Sequence, residues 1–470
     1  MDQTMILALA FASVALPWGL GQAYGRLPWV SPLHLVAWFA GFGFLLKALA
    51  YGFDPGLAFY TRHTSAEGAP LRGAAYLAGF IAMICLGYTL SLPRLRLRHP
   101  AGVISASAPG LRWRWPLAAL AVLTALMTIA LIAKARGGLG LNLASLTEVN
   151  TSKQINVNER GVGSTLAGIK TFFFLPRLAF VLILAHALTT RDAASTALAA
   201  TLGLLLLAVA LVSGDRFELV ELFAYTFITV LITGTRVSLR LWLLAGAAML
   251  LVGWLAAVMT GLRLGEDGSS PLADLWRQVA GSTYFLDWNA SVMLTDRMTP
   301  DQHLYGSSYL WWAYGWIPRG FWPDKPAIDL GVYFKRDILG LATGGAYNVT
   351  GPGEAFINFG WAGLLIGLPL GAAYRLIEDA TLRLRACLRF AGWAFYPLFV
   401  YPFVQATLQS SFSSFLVGAM AQLVLAVPLI WLFCPRYASP QNTSPINQGL
   451  TRNRFAKGAG LLPPESPRHV

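Results

Sequence analysis

The chain has 470 residues, of which 56% are hydrophobic and only 12% charged, and its mean hydropathy is +0.56. Soluble domains carry about a quarter charged residues, so a soluble globular fold is excluded. Recurring apolar runs of about 17–25 residues match the ~30 Å hydrocarbon core of a bilayer. The alternating pattern of a transmembrane barrel is absent. A net charge of +13 on a soluble protein would suggest a nucleic-acid partner, but its distribution along this chain gives it another meaning.

The predicted fold is an all-α polytopic membrane protein with about eleven spans and a long, partly helical periplasmic loop. The spans lie at roughly 5–24, 31–51, 72–91, 116–135, 166–188, 196–213, 218–234, 241–261, 354–374, 391–409 and 413–433. Residues 1–261 form a first transmembrane bundle, 262–353 a loop subdomain, 354–433 a second bundle and 434–470 a polar, Pro-rich tail that reads as disordered. The first residues, MDQTMILALA, begin with an acid and lack the basic region of a secretory signal, so they read as a retained helix. Cys85, Cys387 and Cys434 are scattered and suggest neither a disulfide framework nor a metal set.

Alternating spans put the short basic loops on one side: Arg94, Arg96, Arg98, Arg112 and Arg114; Arg236 and Arg240; Arg375, Arg383, Arg385 and Arg389; and the tail with Arg436, Arg452, Arg454, Lys457 and Arg468. By the positive-inside rule that side is cytoplasmic, so the N-terminus is periplasmic and the C-terminus cytoplasmic. The basic excess is therefore an orientation signal and calls for no nucleic acid. The opposite side collects the polar loops, and within the longest one residues 271–296 show helical spacing of apolar residues. They read as amphipathic helices lying on the membrane. Lys47 and Lys134, near outer ends, are expected to snorkel.

Four constellations stand out. Gly214-Asp215-Arg216 closes the sixth span with an acid and a guanidinium, the fork that binds phosphate bidentately. The run Ile317-Pro318-Arg319-Gly320-Phe321-Trp322-Pro323-Asp324-Lys325-Pro326 holds two cations between prolines, next to Trp312 and Trp316. An aromatic belt accounts for the tryptophans but not for the paired cations. In Gly353-Glu354-Ala355-Phe356-Ile357-Asn358, Glu354 and Asn358 share a helical face. Glu354 reads equally as a general base or as the holder of an arginine. Gly360, Gly363, Gly367 and Gly371 form a small-residue stripe suited to close helix packing. Lys170 and Arg177 lie within the fifth span, where cations by default mark a site. Walker A, HExxH and Gly-x-Ser-x-Gly motifs are absent, so no cofactor is expected and the chemistry is expected to be metal-independent.

With Gly214-Asp215-Arg216, Pro318-Arg319 through Lys325-Pro326, and Gly353-Glu354-Ala355 through Asn358-Phe359-Gly360 in that order, residues of roughly 210–375 resemble the Wzy-type oligosaccharide repeat-unit (O-antigen) polymerases of bacterial inner membranes, which are GT-C-like glycosyltransferases. The resemblance implies growth of O-antigen or a related surface polysaccharide, a step of lipopolysaccharide biosynthesis, from undecaprenyl-diphosphate-linked donor and acceptor oligosaccharides at the periplasmic face. Its implied partners are those lipid-linked glycans, membrane lipids and a chain-length regulator. Glu354, Asp215 and Arg319 would be catalytic. Arg216, Arg319, Lys325 and Arg177 would hold the diphosphate, and Trp312, Trp316, Trp322, Asn348 and Asn358 would contact glycan. Two alternatives stay open. One is an O-antigen ligase, which relies on a histidine ahead of the Gly-rich helix, where this chain has Asn348 and, further upstream, His303. The other is a flippase or transporter of lipid-linked oligosaccharides.

Overall fold

The computed structural model describes residues 2–27, 29–64, 66–91, 114–135, 174–213, 216–233, 243–244, 246–248, 250–251, 253–254, 286–317, 321–322, 324–326, 328, 330–341, 346–387 and 396–433, with all their side chains except those of 131–135, 212–213, 216–217, 383–387 and 430–433. Helices dominate, and no strand occurs among the described residues. In chain order they are α1 (Asp2–Tyr24), α2 (Pro32–Phe53, with a π turn at Gly41–Leu45), α3 (Ala69–Leu90), α4 (Arg114–Ala135), α5 (Phe174–Thr190), α6 (Ala193–Ser213), α7 (Arg216–Ile232), α8 (Trp288–Arg297), α9 (Gly351–Phe359), α10 (Gly367–Cys387), α11 (Tyr401–Gln409) and α12 (Phe412–Phe433). Among the described residues, six helical stretches are long and apolar enough to cross a membrane: Asp2–Tyr24, Pro32–Phe53, Ala69–Leu90, Ala193–Leu211, Gly351–Leu382 and Phe412–Leu429. A helix closes its own backbone hydrogen bonds, which is what lipid demands. The chain has the architecture of a membrane-embedded helical protein.

Burial separates centre from edge. In α2, 67% of the apolar window is buried inside the protein, against 11% in α12, so α2 is a core element and α12 turns most of its surface outward. The centre is built on α3 and α10, which run parallel. A Cβ on Gly367 would lie 2.8 Å from the Phe80 carbonyl, and one on Gly371 2.0 Å from that of Ile84. The expected glycine stripe thus permits backbone-to-backbone approach, as small residues do between membrane helices.

The predicted ninth span, 354–374, is built differently from a plain helix. Gly360 ends α9 with φ +58°, and the chain continues as a 3₁₀ segment, Gly360–Ile366, before α10. α9 is buried from Pro352 to Asn358, and α10 continues to Cys387. Arg375, expected in a loop, is therefore inside a helix and 1% exposed. It meets Glu378 and Asp379 at 3.6 and 3.3 Å. Arg26, just after α1, reaches Asp379 at 3.2 Å, and the Tyr88 hydroxyl at the end of α3 donates to Glu378 at 2.5 Å. This charged knot ties the ends of α1 and α3 to α10, opposite the end where α9 lies.

A second correction concerns α8. The sequence places residues 271–296 on the membrane surface; 271–285 lie outside the described residues, and every residue from Trp288 to Leu294 is buried. The cause is local. Gly73 of α3 presents its bare Cα to the Val292 backbone, where a Cβ would stand 2.6 Å away, and Gly43 in the π turn of α2 does the same for Leu286 at 2.2 Å. π turns of this kind open a helix side and often mark functional regions. Into that opening α8 carries Asp287, which pairs with Lys47 at 2.5 Å, both fully buried. Lys47 therefore does not snorkel.

Candidate functional site

The buried start of α9 gathers the densest polar network near the predicted site. Thr350 caps α9, accepting from the Gly353 amide at 3.4 Å. It does so at φ +67°, a backbone conformation that β-branched residues rarely adopt. Such strain persists only where the surroundings hold it, and it clusters at functional sites. Tyr305, at φ +45°, is a second case on the facing turn.

Glu354 is 1% exposed. Its carboxylate accepts from the Ser308 hydroxyl at 2.7 Å and from the Phe412 amide at 2.6 Å. Phe412 opens α12, so the acid sits where the helix dipole favours negative charge and where charge-assisted bonds are strong. Asn358, one turn along α9, donates to the Ser308 oxygen at 2.7 Å and to the Glu354 carbonyl at 2.8 Å, and accepts from the Gly306 amide at 2.8 Å. Ser413 donates to the Ser308 carbonyl at 2.5 Å and accepts from the Trp312 amide at 3.1 Å. Three chain segments, 305–312, 350–358 and 410–413, are thereby locked to one another through Glu354 and Ser308.

The predicted residues divide between places. Glu354, Asn358 and Trp312 belong to this node. Trp316 and Trp322 stand on the adjoining turn, 40% and 39% exposed, with Trp322 tilted against Tyr314 at 5.9 Å. Lys325 donates to the carbonyls of Gly315 and Ile317 at 3.0 and 2.8 Å; those bonds close the aromatic turn. Asn348 accepts from the Thr350 amide at 3.4 Å, just ahead of α9. Arg177 lies elsewhere, between α5 and α7, where it meets Glu221 at 2.7 Å and Glu218 at 3.6 Å. The cavity it lines with Thr128 and Tyr225 measures about 20 Å³, enough for a water molecule. Arg216 opens α7, but its side chain is not described. Asp215, Arg319 and Lys170 lie outside the described residues.

Sequence reasoning passed over Ser308 and the run Gln409-Ser410-Ser411-Phe412-Ser413. Among the described residues, the Gln409 side-chain amide oxygen and the Ser411 hydroxyl are buried with no hydrogen-bond partner. Such groups mark a place for water or another polar guest. The available signal was a polar run too rich for a plain turn between two apolar helices. His303 also arrives here: its ring nitrogen is 3.3 Å from the Ile357 carbonyl, and a Cβ on Gly360 would touch the ring at 3.0 Å. Among the described residues, no group of three His, Cys, Asp or Glu side chains converges to hold a metal.

Chemically, the node offers a buried carboxylate that accepts from a hydroxyl and a backbone amide, beside a helix N-terminus and next to exposed aromatic rings. That set can accept a proton, position hydroxyls and stack against sugars. No protein-family model, curated protein or solved structure matches the chain.

Proposed function

We propose that this protein is a polymerase of undecaprenyl-diphosphate-linked oligosaccharide repeat units, acting at the periplasmic face of a bacterial inner membrane through about eleven spans. The observation that carries the reading is the Glu354–Ser308–Phe412 node. It joins the Gly-Glu start of the glycine-rich segment to the aromatic turn at the end of the bundle where a lipid-linked glycan would stand. In the reaction an acceptor hydroxyl attacks the anomeric carbon of the donor sugar, and the bond from that carbon to the lipid diphosphate breaks. Glu354 or Asp215 takes the hydroxyl proton. Arg216, Arg319 and Lys325 stabilise the charge on the departing diphosphate, whose release drives the step. Trp316 and Trp322 supply open rings for sugars. Glu354 is enclosed, so the 305–317 segment must shift before the carboxylate meets an acceptor.

His303 supports one competing reading. Its ring lies against the end of α9, and a ligase that hands finished polymer to a lipid acceptor relies on a histidine ahead of the Gly-rich helix. One gel separates the two. Deletion in the native host is expected to abolish long chains while leaving a lipid core that bears a single repeat unit. Loss of every repeat unit would point to a ligase or a flippase instead. Arg216→Ala, Arg319→Ala and Glu354→Ala, at normal membrane levels, are each expected to shorten the polymer, and full-length product from all three would sink the polymerase site.

A further inference from the structure

A second cluster at the α9 end takes no part in the reaction just described. It is assembled from three places in the sequence: the turn Phe59–Arg62 with His63, the last residue of α8, and the residues Lys335 and Tyr347. Tyr60 seats the turn on α8, its amide donating to Asn289 at 3.3 Å. Three rings then meet. Phe59 lies 5.2 Å from His63 and 5.3 Å from Tyr347, nearly perpendicular to the latter, and His63 lies 5.9 Å from Tyr347.

Cations surround these rings. Arg62 lies over Phe59 at 5.9 Å, Lys335 over Tyr347 at 5.4 Å, and Arg297 donates to the His63 carbonyl at 2.5 Å. Arg62 and Arg297 are exposed. The neighbouring acids are engaged in other contacts: Asp296 with Arg72 at 2.9 Å, Asp337 with Arg336 at 2.9 Å, and Asp54 with the Gly56 amide at 3.0 Å. At His63 itself the charges that act are the cations: burial first, then Arg297 and Arg62, hold its imidazole below the ordinary value. A mere packing cluster would bury its rings behind neutral neighbours. Rings beneath converging guanidinium and ammonium groups fit a ligand that is flat and apolar on one side and anionic at its rim.

We propose that Phe59, His63 and Tyr347, with Arg62, Arg297 and Lys335, form a subsite for an acidic sugar residue, one bearing a carboxylate or phosphate, within the glycan handled at this end of the protein. The proposal rests on the reading that this end works on glycans, and it narrows the substrate to an anionic repeat unit.

The test uses the full-length protein in phosphatidylcholine nanodiscs, titrated calorimetrically with a galacturonic acid hexamer, with maltohexaose and with sodium diphosphate. The acidic hexamer is expected to bind, and Arg62→Gln/Arg297→Gln to weaken it about tenfold with no change in melting temperature. Maltohexaose is expected to bind at least about tenfold more weakly than the acidic hexamer. Equal binding of the two hexamers, or an unchanged double variant, overturns the subsite. Diphosphate binding tighter than the acidic hexamer, with the same arginine dependence, assigns the cations to the lipid carrier and overturns the sugar-borne anion. Should the double variant misfold, Lys335→Met is titrated in its place and judged by the same outcomes. Polymer length on the glycan gel remains a separate readout. A lost ladder without hexamer binding defeats only the subsite, and hexamer binding with unchanged glycan after deletion defeats only the polymerase.

Discussion

Asp287 and Glu354 are both buried carboxylates at the same end of the bundle, yet they are held in opposite ways. Asp287 caps α8 and faces the ammonium of Lys47 at 2.5 Å, with Asn289 bonded to the same oxygen. Glu354 accepts from a hydroxyl and a backbone amide. A carboxylate locked to a buried cation is costly to disturb, because parting the pair strands a charge in a low dielectric. One that accepts from a hydroxyl and a backbone amide can exchange those two donors for a substrate hydroxyl at little cost. The contrast teaches that burial alone does not identify the reactive acid; what the acid is bonded to does.

Amide substitution is the sharpest way to break this contrast. Asp287→Asn removes the charge and leaves Lys47 buried without its counterion, so the protein should lose about 3–5 kcal/mol. The loss is read as a lowered melting temperature in detergent and reduced accumulation in membranes. Lys47→Met/Asp287→Leu should recover most of it. A single variant as stable as the wild type would mean that the pair does not clamp α8.

Glu354→Gln should behave the other way round. The neutral amide still offers one acceptor to Ser308 or Phe412, so stability should fall by only about 1–2 kcal/mol. Polymer formation in membranes should drop about 100-fold or more if the carboxylate takes the acceptor proton. Wild-type ladders from a well-expressed Glu354→Gln protein would reduce Glu354 to a tie between α9 and α12. The opening for α8 is a third lever. Gly43→Ala drives a methyl to within 2.2 Å of the Leu286 carbonyl, and forced displacement of this kind costs about 1–3 kcal/mol. If the π turn exists to admit α8, the same substitution should weaken the Lys47–Asp287 clamp, and its effect should shrink in the Lys47→Met/Asp287→Leu background.

The two acids were not equally legible. Glu354 stands in a sequence where an acid has no business, a proline- and glycine-flanked start to an apolar helix, so it could be singled out without coordinates. Asp287 sits in an ordinary amphipathic pattern, and nothing in that pattern says that α8 is swallowed by the bundle. The information lies in Gly43 and Gly73, on two other helices, and in Lys47, whose place near a helix end suggests snorkelling until its partner is seen. The helical class, the close packing of the glycine stripe though not its partner α3, and the grouping of Glu354 with Asn358 follow from local spacing and were readable. The break at Gly360 and the burial of Arg375 depend on φ angles and on partners from α1 and α3, which spacing does not encode. Ser308 was invisible for a related reason: a serine in an aromatic loop carries no pattern, and only its position opposite α9 gives it weight.

Ser308 therefore supplies the finest test of the contrast. Its hydroxyl donates to Glu354 and accepts from Asn358, so it is the switch that would have to turn for the acid to find a new partner. Ser308→Ala leaves Glu354 with the Phe412 amide and Asn358 with its bond to the Glu354 carbonyl. The stability cost should be about 1 kcal/mol, at the low end of the costs expected at Asp287, Glu354 and Gly43. Its effect on polymer length discriminates more than its effect on melting. If Glu354 is a tie, loosening it should disturb packing and function in proportion, so a variant that melts normally should polymerise normally. If Glu354 is a base held in reserve by Ser308, freeing the carboxylate should change chain length, or the pH at which polymer forms in isolated membranes, while the melting temperature hardly moves. Proportionate, small changes in both would place Glu354 beside Asp287 as a structural acid and leave Asp215 as the remaining candidate for the proton.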